Sequence, residues 1–99
     1  LHSAAINGHL ELVRELLKLG ASVDLPNSVG FTALMHAALN GHLPILLVLL
    51  QHSADPYLRA NNGATALIGP AYEGHEACVQ ALLQAKANTE LLNNKGRNA

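Results

Sequence analysis

Residues 40–46 read NGHLPIL, residues 7–13 read NGHLELV, and residues 73–79 read EGHEACV. The step between them is 33 residues both times. Sliding the chain on itself by that step aligns Leu1, Leu34 and Leu67, then Ala5, Ala38 and Ala71. Gly8, Gly41 and Gly74 coincide, each followed by His9, His42 or His75. The pairs Leu16-Leu17, Leu49-Leu50 and Leu82-Leu83 also align, as do Ala21, Ala54 and Ala87. Leu25, Leu58 and Leu91; Gly30, Gly63 and Gly96; and Ala33, Ala66 and Ala99 complete the identical columns. Chance in a chain this rich in Leu and Ala gives roughly one such column or fewer, so the chain is an internal repeat.

Each period describes the same small unit. Turn-forming stretches precede Gly30 and Gly63, and Thr32 and Thr65 then stand where a hydroxyl caps a helix N-terminus. A short first helix follows at about 33–40 and 66–73, with a counterpart at 2–7, and the Gly-His step ends it. A second helix is expected near 10–19, 43–52 and 76–85. Neither helix buries its apolar face alone, so neighbouring units must stack. The class is all-α, an open solenoid. The second helix of the middle unit contains Leu43–Leu50 without a polar side chain. A membrane-spanning helix needs about 20 apolar residues, so this run is too short to span.

Composition agrees. Hydrophobic residues make up 49% of the chain but aromatic ones only 3%, which leaves Leu and Ala to build closely packed helices. The formal charge of −1 supplies no general nucleic-acid-binding surface. Cys78 is the one cysteine, so there is no disulfide framework. The expectation is an intracellular helical domain, cytoplasmic or nuclear.

At this point a family is legible. GFTALMHAALNGHLPILLVLLQHSADP (30–56) and GATALIGPAYEGHEACVQALLQAKANTE (63–90) resemble ankyrin repeats, whose pattern runs G-x-T-P-L-H-x-A-A-x-x-G-H, then a Leu-rich helix and G-A-D. The resemblance covers the whole chain. It implies one domain over 1–99 made of helix-turn-helix repeats joined by hairpin loops. Repeat one occupies 1–29 and is truncated at its start; repeat two is 30–62, repeat three 63–95, and a fourth begins at 96–99. Such framing suggests a piece of a longer array. Ala33 and Ala66 replace the family Pro, and Met35 and Ile68 replace its His, which only His2 keeps. The inter-repeat bonds associated with that His are therefore not expected in repeats two and three. Ser53 and Lys86 stand where Gly20 shows the usual helix-ending glycine.

The family resemblance implies a protein–protein interaction module, a scaffold or adaptor rather than an enzyme. Partners of such arrays touch the hairpin tips and the exposed end of the first helix. Carried over, the tips are Ser28, Val29 and Phe31; Arg59, Asn61 and Asn62; and Lys95 with Arg97. The helix ends are Ile6-Asn7, Leu39-Asn40 and Tyr72-Glu73, and Phe31, Leu39 and Tyr72 are the expected anchors. The alternative is a regulatory or targeting segment of a larger enzyme or channel whose chemistry lies outside these residues.

Catalytic, cofactor and metal sites are not expected. His9, His42 and His75 share one column, which stacking holds about 10 Å apart, too far to share one ion. Cys78 falls in the column of Leu12 and Ile45, which reads as core. There is no phosphate-binding or dinucleotide fingerprint. Pro70 sits inside an expected helix, where it removes a hydrogen bond. Finally, Pro44, Leu47 and Val48 share columns with Glu11, Arg14 and Glu15. They are expected to face outward on the convex side, an apolar patch suited to weak self-association or docking.

Overall fold

A Gly-His step ends the first helix of a unit in the same way in both of the units where that helix is seen. The structure, a computed structural model, describes residues 1–67 and 73–98, with side chains as far as 88. Helix α1 (His2–Ile6) and helix α3 (Ala33–Leu39) are first helices; α2 (Leu10–Lys18), α4 (Leu43–Gln51) and α5 (Glu76–Asn98) are second helices. At the end of α3 the His42 amide donates to the Ala37 carbonyl at 2.9 Å and the Gly41 amide to Ala38 at 3.2 Å. That is a Schellman ending, which needs a left-handed residue, and Gly41 supplies it with φ of 71°. At the end of α1, the His9 amide donates to Ala4 at 2.9 Å and Gly8 takes φ of 74°. The Thr32 hydroxyl caps α3, accepting from the Met35 amide at 3.3 Å. The expected helix over 66–73 falls largely on 68–72, outside the described residues, and Pro70 lies there too.

Helix α1 packs on α3, and α2 packs on α4, which packs on α5. The first and second helices thus form two layers, joined within each unit by the Gly-His corner. No strands occur among the described residues; hairpin contact is confined to an isolated bridge between Arg59 and Thr65 and to bonds such as Asn27 to Phe31. The tips stack directly, the Asn61 amide donating to the Val29 carbonyl at 3.0 Å.

The ends of the second helices form a series at one column. Gly20 closes α2 with φ of 93°, and Ala21 reaches back to Leu16 at 3.0 Å. Ser53 closes α4 through the same bonds, Ala54 to Leu49 and Ser53 to Leu50, both at 3.0 Å. It does so at φ of 68°, where a Cβ is unfavourable. Ser53→Gly is therefore expected to raise stability by about 1 kcal/mol, the relief of that clash less glycine's extra entropy loss; urea titration checks it. At the third position Lys86 does not turn. Helix α5 runs on to Asn98 instead of stopping near residue 85, which corrects the expected boundary and removes the expected hairpin tip around Lys95 and Arg97. A left-handed lysine costs about 1–2 kcal/mol, and continuing the helix avoids it.

The apolar run of α4 is a helix in the middle of the stack. Ile45, Leu46, Val48 and Leu49 are buried, while Leu47 remains 43% exposed. Val48, at 7% exposure, was expected outside with Pro44 and Leu47. It lies one helical turn from Ile45, on the same edge, and so shares its burial. The columns explain the rest. Leu12 is 48% exposed, although Ile45 and Cys78 in its column are buried; α4 and α5 each pack on the second helix before them, whereas α2 packs on α1 and α4. Leu83 is 49% exposed although Leu17 in its column is buried, so an aligned leucine is buried here only where a following second helix covers it.

Candidate functional site

The loop ends and the exposed ends of the first helices form the surface on which partner contacts were expected. The first tip is built by Asn27, whose Oδ1 accepts from the Val29 amide at 3.0 Å and the Phe31 amide at 2.9 Å. The second is tightened by Asn62, whose Oδ1 accepts from Ala64. Asn61 joins the two, its side-chain amide reaching the Ser28 carbonyl at 3.4 Å. A Cβ on Gly30 would lie 2.8 Å from the Asn61 backbone nitrogen, so the tips stack this closely only over a glycine. Val29, Arg59, Asn61 and Asn62 are exposed on this frame, as are Ile6, Leu39 and Asn40 at the helix ends and Glu73 ahead of α5. Tyr72 lies outside the described residues, and so do the side chains of Lys95 and Arg97.

Phe31 differs from its expected role. It is half-buried and packs against the core, its ring 5.3 Å from that of His36. The His36 ring also meets His2 edge-on at 6.0 Å, and its Nε2 lies 3.4 Å from the Asn27 side chain. His2 in turn donates to the Leu25 carbonyl at 2.6 Å. This knot joins the first tip to both first helices, and sequence reasoning missed it. Met35, in the column of His2, is buried and apolar, and the histidine that matters sits one place later.

Burial, and after it the charge of His2, lowers the His36 pKa from its usual 6.5. The unfolded chain therefore holds the proton more tightly. The folded state keeps its full stability above about pH 6.5 and loses some as pH falls below that value. His36→Gln is expected to flatten this loss in urea titrations run across the range; an unchanged slope would show that His36 is not the source.

The histidine column does structural work. His42 Nε2 donates to the Ile6 carbonyl at 3.2 Å, and its ring covers Gly8 of the unit before. The His75 ring covers Gly41 likewise. No group of three metal-binding side chains occurs among the described residues. Cys78 is buried, and burial pushes its thiol up from the usual value, away from the thiolate that nucleophilic chemistry needs.

A two-layer stack of helix pairs with stacked loop tips is the architecture of a helical repeat protein. Residues 1–93 match the family description Ankyrin repeats (3 copies), and the chain belongs to the ankyrin repeat family. It is similar to the crystal structure of the human ASB11 ankyrin repeat domain, with a TM-score of 0.81 and 32% identity over 85% of this chain and 38% of that one. It is also similar to the rice (Oryza sativa subsp. japonica) Probable E3 ubiquitin-protein ligase XBOS33, at 57% identity over 37 residues. That match covers 37% of this chain and 7% of the rice protein, so the chain spans a small part of that relative. Ankyrin repeats are protein-interaction modules.

Proposed function

We propose that this chain is a non-catalytic scaffold or adaptor module that binds a protein partner through its concave surface and loop tips, inside the cell. The observation that carries the reading is the cross-bonded pair of tips. Asn61 ties the second tip to Ser28 and Val29 of the first, so the exposed Val29, Arg59 and Asn62 stand on a rigid frame. A rigid frame loses little entropy on binding. Exposed Leu39 and Ile6 extend it with apolar surface. Phe31 belongs to the core side of the tip and makes a poor probe, since its loss would disturb folding.

The test uses the double variant Leu39→Ala with Arg59→Ala. A partner is first identified by affinity capture with the whole chain and then purified. The variant is expected to bind it roughly tenfold more weakly, about 1.4 kcal/mol, with an unchanged melting curve. Undiminished binding places the contacts elsewhere and sinks the assignment.

A second reading has one observation behind it. The rice relative is named as a probable E3 ubiquitin-protein ligase, and the matching stretch is a small fraction of it. On that reading the repeats are a targeting segment of a larger enzyme and choose what it acts on.

A further inference from the structure

The seams between neighbouring second helices are filled differently. Between α2 and α4, the α4 side brings Val48 and His52, and the α2 side brings Arg14 and Lys18. One unit on, the same columns hold Ala81 and Ala85 on α5 and Leu47 and Gln51 on α4. Two small residues one turn apart leave the second seam open, and the two bases that edge the first are gone. The result is a groove of about 960 Å³, of the size that holds side chains of a bound segment. Leu47, Leu50, Ala81 and Ala85 give it apolar surface.

Asp24 and Asp55 also line the groove, and they are the only charged residues among its described lining. Both carboxylates are held in place. Asp24 Oδ1 accepts from the Asp55 amide at 2.9 Å, and Asp55 Oδ1 accepts from the Tyr57 amide at 2.8 Å. The neighbouring base, Lys86, is engaged over the Tyr57 ring, its Nζ 5.1 Å from the centroid. Gln51, Gln84 and Asn88 add neutral amides.

We propose that this groove docks a segment of a partner protein that presents an arginine or lysine beside an aliphatic side chain. The aliphatic group covers Leu47, and the cation meets two carboxylates whose orientation is already set, so little ordering remains to be done on binding. An anionic lipid surface is disfavoured by the same two charges. A second copy of this chain fits less well, because its exposed bases Arg14 and Lys18 stand among Glu11 and Glu15 on α2. The site is on the second-helix layer and does not depend on the loop-tip reading.

The test pans a randomised peptide library displayed on phage against the whole chain. Enriched peptides are expected to carry Arg or Lys next to Leu, Ile or Val, and to bind less well as salt is raised. Binding is expected to fall roughly tenfold in Asp24→Asn with Asp55→Asn, and again in Ala85→Leu, which fills the groove. Leu39→Ala with Arg59→Ala should leave it unchanged, which separates this site from the tips. Melting curves establish that each variant is folded, and the carboxylate variant carries the test if Ala85→Leu is not. Several outcomes overturn the proposal: no enrichment, enrichment of peptides without a base, binding indifferent to the carboxylate variant, or wild-type self-association in sedimentation that Leu47→Glu abolishes.

Discussion

Leu46→Ala is expected to destabilise the domain by about 2–5 kcal/mol, whereas Leu47→Ala, one residue along the same helix, should cost less than about 1 kcal/mol. Leu46 is fully buried, and its column is Val13 and Val79 in the units on either side. It lies in the core of the middle unit, on a helix that packs on α2, α3 and α5, and truncating it leaves a cavity there. Leu47 keeps 43% of its surface in water and loses little when shortened. Small domains have about 5–15 kcal/mol of total stability, so the first change removes a large part of it. Urea titration of both variants checks the contrast. Equal losses would mean that the chain does not use one edge of α4 as core and leave the other free.

The second large effect falls on a glycine. Gly41→Ala should cost about 1–2 kcal/mol for a left-handed alanine and a further roughly 1–3 kcal/mol for overpacking, because its Cβ would lie 2.8 Å from the His75 ring. Gly74 provides the internal control. Its φ of 78° is nearly the same, but a Cβ there meets nothing within 4 Å among the described residues and no histidine of a following unit, so Gly74→Ala should show chiefly the backbone cost. The difference between the two variants measures the contact between repeats. Adding His75→Ala to Gly41→Ala should recover part of the loss as a positive coupling in a double-mutant cycle. If the two glycine variants cost the same, the histidine does not press on the glycine and the contact is loose.

What was legible in the sequence was whatever repeats. The period located the Gly-His corners, the Thr32 cap, the second-helix starts and the stacking of units, because each follows from residue types held at one column. The misreadings concern positions where neighbours, not columns, decide. Val48 shares a column with Glu15 but shares an edge with Ile45, and the edge won. Leu12 and Leu83 share columns with buried residues and are exposed, because burial there depends on a unit standing beside them. Lys86 was recognised as a departure from glycine. Its consequence was not foreseen, since a missing stop signal can end in either a strained turn or a longer helix, and Ser53 and Lys86 took different courses. On the candidate surface, loop tips occur at 27–31 and 59–65 as the period implied, whereas the expected third tip around Lys95 and Arg97 is taken up by α5. Phe31 was read as a partner anchor, and its attachment to His36 joins a loop to a helix across a distance that no local pattern reports.

The histidine that covers the preceding unit's glycine has a consequence for how such chains lengthen. Each unit carries a socket, its Gly, and a plug, its His, but the plug enters the socket of the neighbour and never its own. A duplicated block that begins and ends at the same column therefore brings one of each and restores every joint, including the one where it was inserted. A block cut at any other length shifts plug from socket at the scar. Growth and loss by whole periods thus cost the fold no new joint, while gains and losses of a few residues inside a helix do. Chains built on this joint can change length in evolution without redesigning what holds them together.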